Sequence, residues 1–188
     1  MKYQAIVIGT STRGMAAPKE ILAPLPVGFP MPILIVQHLR PHVDSYLAKY
    51  LDDLSRIKVK EADEKEEAAA GHSYVSPSNY HMLIEEGGYI SFSVDEYVKF
   101  ARPSVDVLFE TAADVYKDCL IGIILTVANG DGSKGLRRIK QKGGIAIVED
   151  LSTAEAGAMP QATIKAVQVD YILSLRQIPG KLIEIVGV

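Results

Sequence analysis

Short apolar runs bounded by turn residues alternate along the chain with longer stretches in which apolar residues recur at helical spacing. Such runs are typical of strands buried on both faces of a parallel sheet, and the longer stretches are typical of the covering helices. Strands are predicted at residues 3–8, 33–36, 120–126, 144–149 and 170–173. The pattern therefore predicts an α/β fold with a doubly wound, mostly parallel sheet and helices on both faces.

The helices are predicted from apolar stripes and from prolines, which favour the first turn of a helix. One stripe runs through residues 43–54, and another runs through residues 105–116 directly after Pro103. Further helices are expected at residues 18–22, after Asp131, at 160–167 and at 179–186.

Residues 81–92 break this α/β rhythm. Two short apolar runs, 81–84 and 89–92, flank Glu85-Glu86-Gly87-Gly88, whose glycines supply the positive φ that tight hairpin turns need. We predict a β-hairpin insertion here. The acidic run at 61–67 is predicted as a solvated connector. Without a linker or an internal repeat, one domain is expected over residues 1–188.

Composition narrows the class of protein but not its activity. The 20 basic and 23 acidic side chains give a formal charge of -3. A protein with this net charge lacks the positive field that binding to duplex nucleic acid requires. The first apolar run is too short for a signal peptide or a spanning helix, and the lone Cys119 allows no intrachain disulfide. We expect a cytoplasmic protein that neither binds nucleic acid nor inserts into membranes.

The sharpest motif is Gly9-Thr10-Ser11-Thr12-Arg13-Gly14, which directly follows the first predicted strand. A dinucleotide-binding turn would have glycine at the position of Ser11 and a carboxylate after strand two, where the sequence has Gln37-His38. A phosphate-binding turn stays open as one interpretation. The other is a nucleophile, because a serine between a strand end and a helix is exposed and close to backbone N–H donors.

His38 and Asp131 supply the partners that such a nucleophile requires. His38 follows the second predicted strand and Asp131 follows the strand at 120–126, so both lie at the sheet edge where open α/β folds bind ligands. Taken singly, a structural histidine and a cap for the following helix are the simpler interpretations. Together, Ser11, His38 and Asp131 form the set needed for acyl transfer, with serine attacking, histidine moving the proton and aspartate orienting the imidazole.

No residues are spaced as a metal site. His38 and His42 share no predicted helix, and Asn129-Gly130-Asp131 lacks the distal glutamate of an EF-hand loop. We expect neither a metal ion nor another cofactor.

Ordered fragments of the chain resemble the catalytic domain of the chemotaxis protein-glutamate methylesterases of the CheB type. Three of them carry the candidate residues, namely Gly9–Gly14, Gln37-His38-Leu39 and Leu125–Gly132. The other fragments follow in the family's order and are Gly71–Pro77, Asn79–Met82, Arg102–Phe109 and Ala158–Pro160.

The resemblance implies a serine hydrolase that removes methyl groups from glutamate γ-methyl esters on the cytoplasmic helices of chemoreceptors. Methanol is released, and glutamine deamidation is a related activity. By position, Ser11 is the nucleophile, His38 is the general base and acid, and Asp131 is the orienting carboxylate. The family's oxyanion-hole methionine falls on Ala128. Because that donor would be a backbone N–H, alanine can supply it, and Thr12 is a neighbouring contributor.

Other residues are implied near the cleft or depart from the family's pattern. His81 and Met159 are expected to border it, and Arg13 stands at its rim where the family has glycine. Val127-Ala128-Asn129 replaces Gly-Met-Gly, which motivates an alternative function as a catalytically impaired binding module in two-component signalling. Members usually carry an N-terminal receiver domain, whereas the first strand here begins at Tyr3, so we expect the catalytic domain without a receiver.

Overall fold

The fold is seen in a computed structural model that describes residues 2–11, 16–38, 46–125, 130–150 and 167–188. In chain order the strands are β1 (Ala5–Thr10), β2 (Ile33–Gln37), β3 (Lys58–Glu61), β4 (His72–Val75), β5 (His81–Ile84), β6 (Ile90–Ser93), β7 (Leu120–Ile124), β8 (Ile145–Glu149) and β9 (Tyr171–Leu173). The helices are α1 (Ala17–Leu22), α2 (Tyr46–Leu54), α3 (Val105–Tyr116), α4 (Ser133–Gln141) and α5 (Ile178–Val186).

Seven strands form one parallel sheet in the order β3-β4-β2-β1-β7-β8-β9. The predicted doubly wound α/β fold is confirmed. The edge strand β3 and its neighbour β4 were not predicted. Both are only four residues long, and β3 carries the polar residues Lys58 and Lys60. Strand order reverses at β1, which has β2 on one side and β7 on the other.

Two hydrophobic cores lie on opposite faces of the sheet. Val7 and Val36 point into a core with α3 and α4, whereas Ile8 and Ile35 point into a core with α1, α2 and α5. Side chains alternate between the faces of a strand, so residues 11 and 38, just past β1 and β2, continue the face that α3 covers.

β5 and β6 form the predicted hairpin as a separate antiparallel pair. Gly87 and Gly88 in its turn both have a φ of 83°, which explains why glycine is needed there. The pair packs on α3 through Met82, Ile84 and Ile90, which belong to the same core as that helix. The predicted insertion is confirmed.

Some predicted elements fall outside the described residues. The structure does not describe residues 43–45 of the helix predicted at 43–54. It also does not describe the helix predicted at 160–167, apart from residue 167. No helix among the described segments is both long enough and apolar enough to span a bilayer.

Candidate active site

Ser11 and His38 lie side by side at the carboxyl edge of the sheet. The register of β1 and β2 pairs Thr10 with Gln37, and the His38 backbone N–H donates to the Thr10 carbonyl at 3.0 Å. On the other side of β1, the Leu125 N–H donates to the Gly9 carbonyl at 3.0 Å, just past β7. The ends of the three strands after which the candidate residues follow are therefore adjacent at the point where strand order reverses.

His38 and Asp131 are in direct contact. The distance between His38 Nε2 and Asp131 Oδ2 is 2.7 Å, although 93 positions separate the residues in the chain. The side chain of His38 is 12% exposed and that of Asp131 is 0% exposed. The pair joins two strand ends across the reversal point, with the histidine on the solvent side.

Asp131 also binds the first turn of α3. Its Oδ2 accepts from the Val105 N–H at 2.7 Å, and its Oδ1 accepts from the Asp106 N–H at 2.9 Å. The hydroxyl of Ser104, which is the N-cap of α3, donates to Oδ1 at 2.8 Å. These groups fill the coordination of the carboxylate with donors and set it at the positive end of a helix dipole.

The sequence-based alternative that Asp131 caps the helix following it is wrong. That helix, α4, is capped by the side chain of Asp106, whose Oδ1 accepts from the Gly132 N–H at 2.9 Å and the Gly135 N–H at 2.8 Å. Asp131, which precedes α4, therefore caps α3, and Asp106, which lies in α3, caps α4.

The surroundings of Asp131 hold the carboxyl in its ionised form. Burial alone would raise its pKa, but the hydrogen bond from His38, those from the backbone N–H groups of Asp106 and Val105, and the electrostatic attraction of His38 outweigh that effect. The pKa of Asp131 therefore lies below the usual value of an aspartate. With Asp131 ionised at neutral pH, Nε2 of His38 carries the hydrogen in the bond between them.

Ser11 is buried, at 3% exposure, so the expectation of an exposed serine is wrong. Its Oγ has no hydrogen-bond partner in the part of the chain that the structure describes. A buried hydroxyl left unpaired is unfavourable, and the hydroxyls of Thr10, Ser55 and Ser73 are in the same situation.

Gly9 allows α3 to approach this edge. A Cβ at Gly9 would overlap the Val105 side chain, and a Cβ at Gly132 would come within 2.8 Å of the same side chain. Gly132 also has a φ of 98°, whereas Gly9 does not have a positive φ. Gly9 is thus needed for close packing of Val105, whose N–H binds Asp131, rather than for an unusual backbone conformation.

His81 lies behind the site. It is 1% exposed, its Nδ1 accepts from the Ser104 N–H at 3.2 Å, and its Nε2 donates to the Glu96 carbonyl at 3.1 Å. Those two partners require the neutral imidazole with hydrogen on Nε2. The structure thus gives His81 a contact with the α3 cap, while its expected contact with substrate stays a prediction.

Several predicted site residues are outside the described segments, namely Thr12, Arg13, Ala128 and Met159. Over the described ranges, no three His, Cys, Asp or Glu side chains gather as ligands for a metal ion.

The sequence reasoning missed the supporting residues Ser104 and Asp106. A serine before an apolar helix is a recognisable N-cap signal, so Ser104 was within reach as a cap but not as a donor to Asp131. Asp106 had no comparable signal, because its partners Gly132 and Gly135 lie 26 and 29 positions along the chain.

Comparison with known proteins points to one family. The family model described as CheB methylesterase matches residues 6–182. A protein-glutamate methylesterase/protein-glutamine glutaminase of Thermotoga maritima is 40% identical over 184 residues, which cover 96% of this chain and 54% of that protein. A Leptospira interrogans protein, provisionally assigned the same two activities, is 54% identical over 178 residues, covering 95% of this chain and 92% of that protein.

The fold agrees with the sequence comparison. The crystal structure of the Thermotoga maritima CheB methylesterase catalytic domain matches with a TM-score of 0.92 and 37% identity, and the match covers 98% of this chain and 100% of that one. The family match favours a hydrolase over the nucleotide-binding interpretation of the turn after β1. The chain belongs to the CheB methylesterase family, a family of hydrolases.

Proposed function

We propose that this protein is a serine hydrolase that cleaves glutamate γ-methyl esters on the cytoplasmic helices of chemoreceptors, with glutamine deamidation as a related activity. It acts in the cytoplasm on a protein substrate. The observation that carries the proposal is the 2.7 Å contact between His38 Nε2 and Asp131 Oδ2, beside a buried serine hydroxyl at the next strand end. The names of the relatives support the choice of ester.

In the proposed reaction the Ser11 oxygen attacks the ester carbonyl carbon while the Ser11 proton passes to His38. His38 then returns that proton to the departing methoxide, which leaves as methanol. A water molecule attacks the resulting acyl-serine by the same route and releases the glutamate carboxylate. No oxidant, reductant or metal ion is needed, because every proton that leaves serine or water is carried by the imidazole.

The tautomer identifies the proposed basic atom. Because Asp131 holds the hydrogen of His38 on Nε2, the lone pair that accepts the Ser11 proton is on Nδ1. Asp131 needs no proton of its own in this scheme, and its lowered pKa keeps it ionised as the imidazolium forms. A hydrogen bond between Ser11 and Nδ1 is expected to tighten when substrate binds, as is common in hydrolases.

The proposed oxyanion donor is the backbone N–H group of Ala128, carried over from the family by position, with Thr12 as a neighbouring contributor. Donors of this kind are typically worth about 10² to 10³ in rate each. Arg13 and Met159 are proposed to border the ester-binding cleft, and Arg13 would attract acidic surroundings of a receptor glutamyl ester.

Methanol release from a methylated receptor fragment, measured for the parent and for Ser11→Ala, tests the proposal. Ser11 Oγ has no hydrogen-bond partner among the described residues, so its removal is expected to leave the fold intact while abolishing turnover. Labelling of Ser11 by a fluorophosphonate reports an activated serine without the correct receptor. Equal methanol release from parent and Ser11→Ala would contradict the triad. Absence of both release and labelling in the parent would favour the alternative of a binding module.

A further inference from the structure

A tight turn close to the catalytic residues exposes an aromatic ring to solvent. Val98 and Ala101 exchange two backbone hydrogen bonds, at 3.1 and 2.8 Å, and the two residues between them both have positive φ. Lys99 has a φ of 48° and Phe100 a φ of 65°, where glycine or asparagine is usual. Phe100 is nevertheless 97% exposed. An aromatic residue in this conformation is an outlier, and such outliers cluster at functional sites.

The turn, residues Val98–Ala101 and called here the Phe100 turn, is tied to the active site by Lys99. The Lys99 ammonium donates to Asp106 Oδ2 at 2.8 Å and to the Gly130 carbonyl at 2.6 Å. Asp106 caps α4, and Gly130 immediately precedes Asp131. Phe100 is therefore one residue away from a side chain that binds the catalytic loop.

Further contacts hold the segment that leads to the turn. Arg102 donates to the carbonyls of Val94 and Asp95 at 2.7 and 3.0 Å, and to Asn79 Oδ1 at 2.9 Å. Its guanidinium lies 4.5 Å from the centre of the Tyr97 ring. With His81 bound to the Glu96 carbonyl, the segment has fixed partners along its length. The exposure of Phe100 is thus a property of a well-anchored turn.

Exposed apolar side chains are concentrated on this same segment. Besides Phe100, Val94 is 66% and Tyr97 is 52% exposed. A rigid aromatic ring loses little conformational entropy on binding, and aromatic residues dominate the energetics of protein interfaces. The segment therefore has the composition of a docking surface at the edge where the substrate reacts.

We propose that the Phe100 turn docks against an apolar stripe on the substrate's own helix, next to the methylated glutamate. This inference rests on the proposed function and names the contact that recognises the substrate as a protein. The catalytic edge engages only one side chain, so the surface of the helix around that side chain must meet the enzyme nearby. The Phe100 turn offers such an apolar surface, and its Lys99 binds the carbonyl of Gly130, the residue before Asp131.

Kinetics on substrates of two sizes test this role. We expect Phe100→Ala and Phe100→Gly to lower kcat/KM for methanol release from a methylated receptor fragment by about tenfold, through KM. The rate of Ser11 labelling by a fluorophosphonate should match that of the parent, because the probe lacks the receptor helix that is proposed to contact the turn. Glycine suits the positive φ, so Phe100→Gly removes the ring without disturbing the turn.

Tyr89→Ala is the matched control, since Tyr89 is 47% exposed in the hairpin turn between β5 and β6. It should keep the parental kcat/KM, and Phe100→Tyr should retain most of it. Unchanged kcat/KM in Phe100→Gly would overturn the inference, as would an equal loss of labelling. Conversion of a parental dimer to a monomer by Phe100→Ala would assign the turn to self-association instead. A parent that labels but releases no methanol would reject the proposed substrate and this inference together.

Discussion

At the residue scale, the two carboxylate oxygens of Asp131 accept hydrogen bonds both from His38 and from the first turn of α3. Four donors point at it, from His38, Ser104, Val105 and Asp106. An amide of the same shape would turn two hydrogens toward this set of donors. On the proposed mechanism, Asp131 is therefore a residue at which catalysis and folding depend on the same charge.

We expect Asp131→Asn to lower methanol release by about 10⁴-fold, as in other triads. It should also lower the free energy of unfolding by about 1–3 kcal/mol, because buried donors lose their acceptor. Urea denaturation and the methanol assay measure the two effects. Asp114→Asn is the control, since that carboxylate is 51% exposed and its ion pairs with Arg138 and Lys142 should contribute little. Parental stability in Asp131→Asn would contradict the capping role.

The same carboxylate gives a pH dependence with a definite sign. The folded-state pKa of Asp131 lies below its unfolded value, so its contribution to stability is complete above the ordinary aspartate pKa. That contribution is lost as the pH falls through the lowered folded-state value. The difference in unfolding free energy between parent and Asp131→Asn should therefore be constant near neutrality and narrow below about pH 4.

Ser104 is expected to position Asp131 rather than touch substrate. Ser104→Ala removes one donor from the carboxylate and the N-cap of α3, at a cost of about 1 kcal/mol in unfolding free energy. With one donor fewer, the pKa of Asp131 should rise, so the acid-side decline in the profile of unfolding free energy against pH, measured by urea denaturation, should begin at higher pH. Ser104→Thr keeps the hydroxyl and should restore the parental profile. A purely structural cap would lower stability and leave the profile in place.

At the scale of elements, the site depends on how closely α3 approaches the end of β1. We expect Gly9→Ala to lower the free energy of unfolding by about 1–3 kcal/mol, because its methyl group would overlap Val105. Methanol release should fall as well, since Val105 holds Asp131 through its N–H. Thermal denaturation and the methanol assay provide the measurements.

Gly180→Ala is the matched control for that substitution. Gly180 lies in α5, and a Cβ there would meet no heavy atom within 4 Å. Alanine is favoured over glycine in helices by roughly 0.5–1 kcal/mol, so this variant should be as stable as the parent or more so. If Gly9→Ala behaved like Gly180→Ala, close packing of α3 would not be what requires glycine.

The elements also explain what could be predicted from the sequence. The central strands are continuous apolar runs, so their positions, and the residues that follow them, were recognisable. Because parallel strands have their carboxyl ends at one edge of the sheet, the sequence predicts that His38 and Asp131 lie close together. The helix that Asp131 caps was not predictable, because capping across 25 or more positions depends on packing between α3 and β1 rather than on local sequence.

At the scale of the whole molecule, Tyr116 at the end of α3 packs against the core that this helix shares with the hairpin. Burial, followed by the negative charge of Glu67 and the nearby Tyr74, raises the pKa of Tyr116 to about 12. A solvated tyrosine titrates near pH 10, so the unfolded chain loses this proton first. The stability that Tyr116 contributes is therefore complete below about pH 10 and declines as the pH rises toward the folded-state value.

Tyr116→Phe should flatten this alkaline decline. Urea denaturation between pH 9 and 11 measures it, with Tyr89→Phe as the control because Tyr89 is half exposed at the hairpin turn. An identical alkaline slope in parent and Tyr116→Phe would show that other groups cause the loss.

Asp131 accepts four hydrogen bonds, whereas Ser11 Oγ has no partner among the described residues. This difference determines which inactive variants of the protein should still fold. Loss of the Ser11 hydroxyl, as in Ser11→Ala, removes an atom without a partner among the described residues, so the proposed chemistry should be lost while the fold remains. Substitution of Asp131 also weakens the start of α3, so many Asp131 variants should be degraded or aggregate. Among random variants that accumulate in soluble form yet lack activity, changes at Ser11 should outnumber changes at Asp131. On the proposed mechanism, natural selection can therefore convert the protein into an inert binding protein more easily through Ser11 than through Asp131.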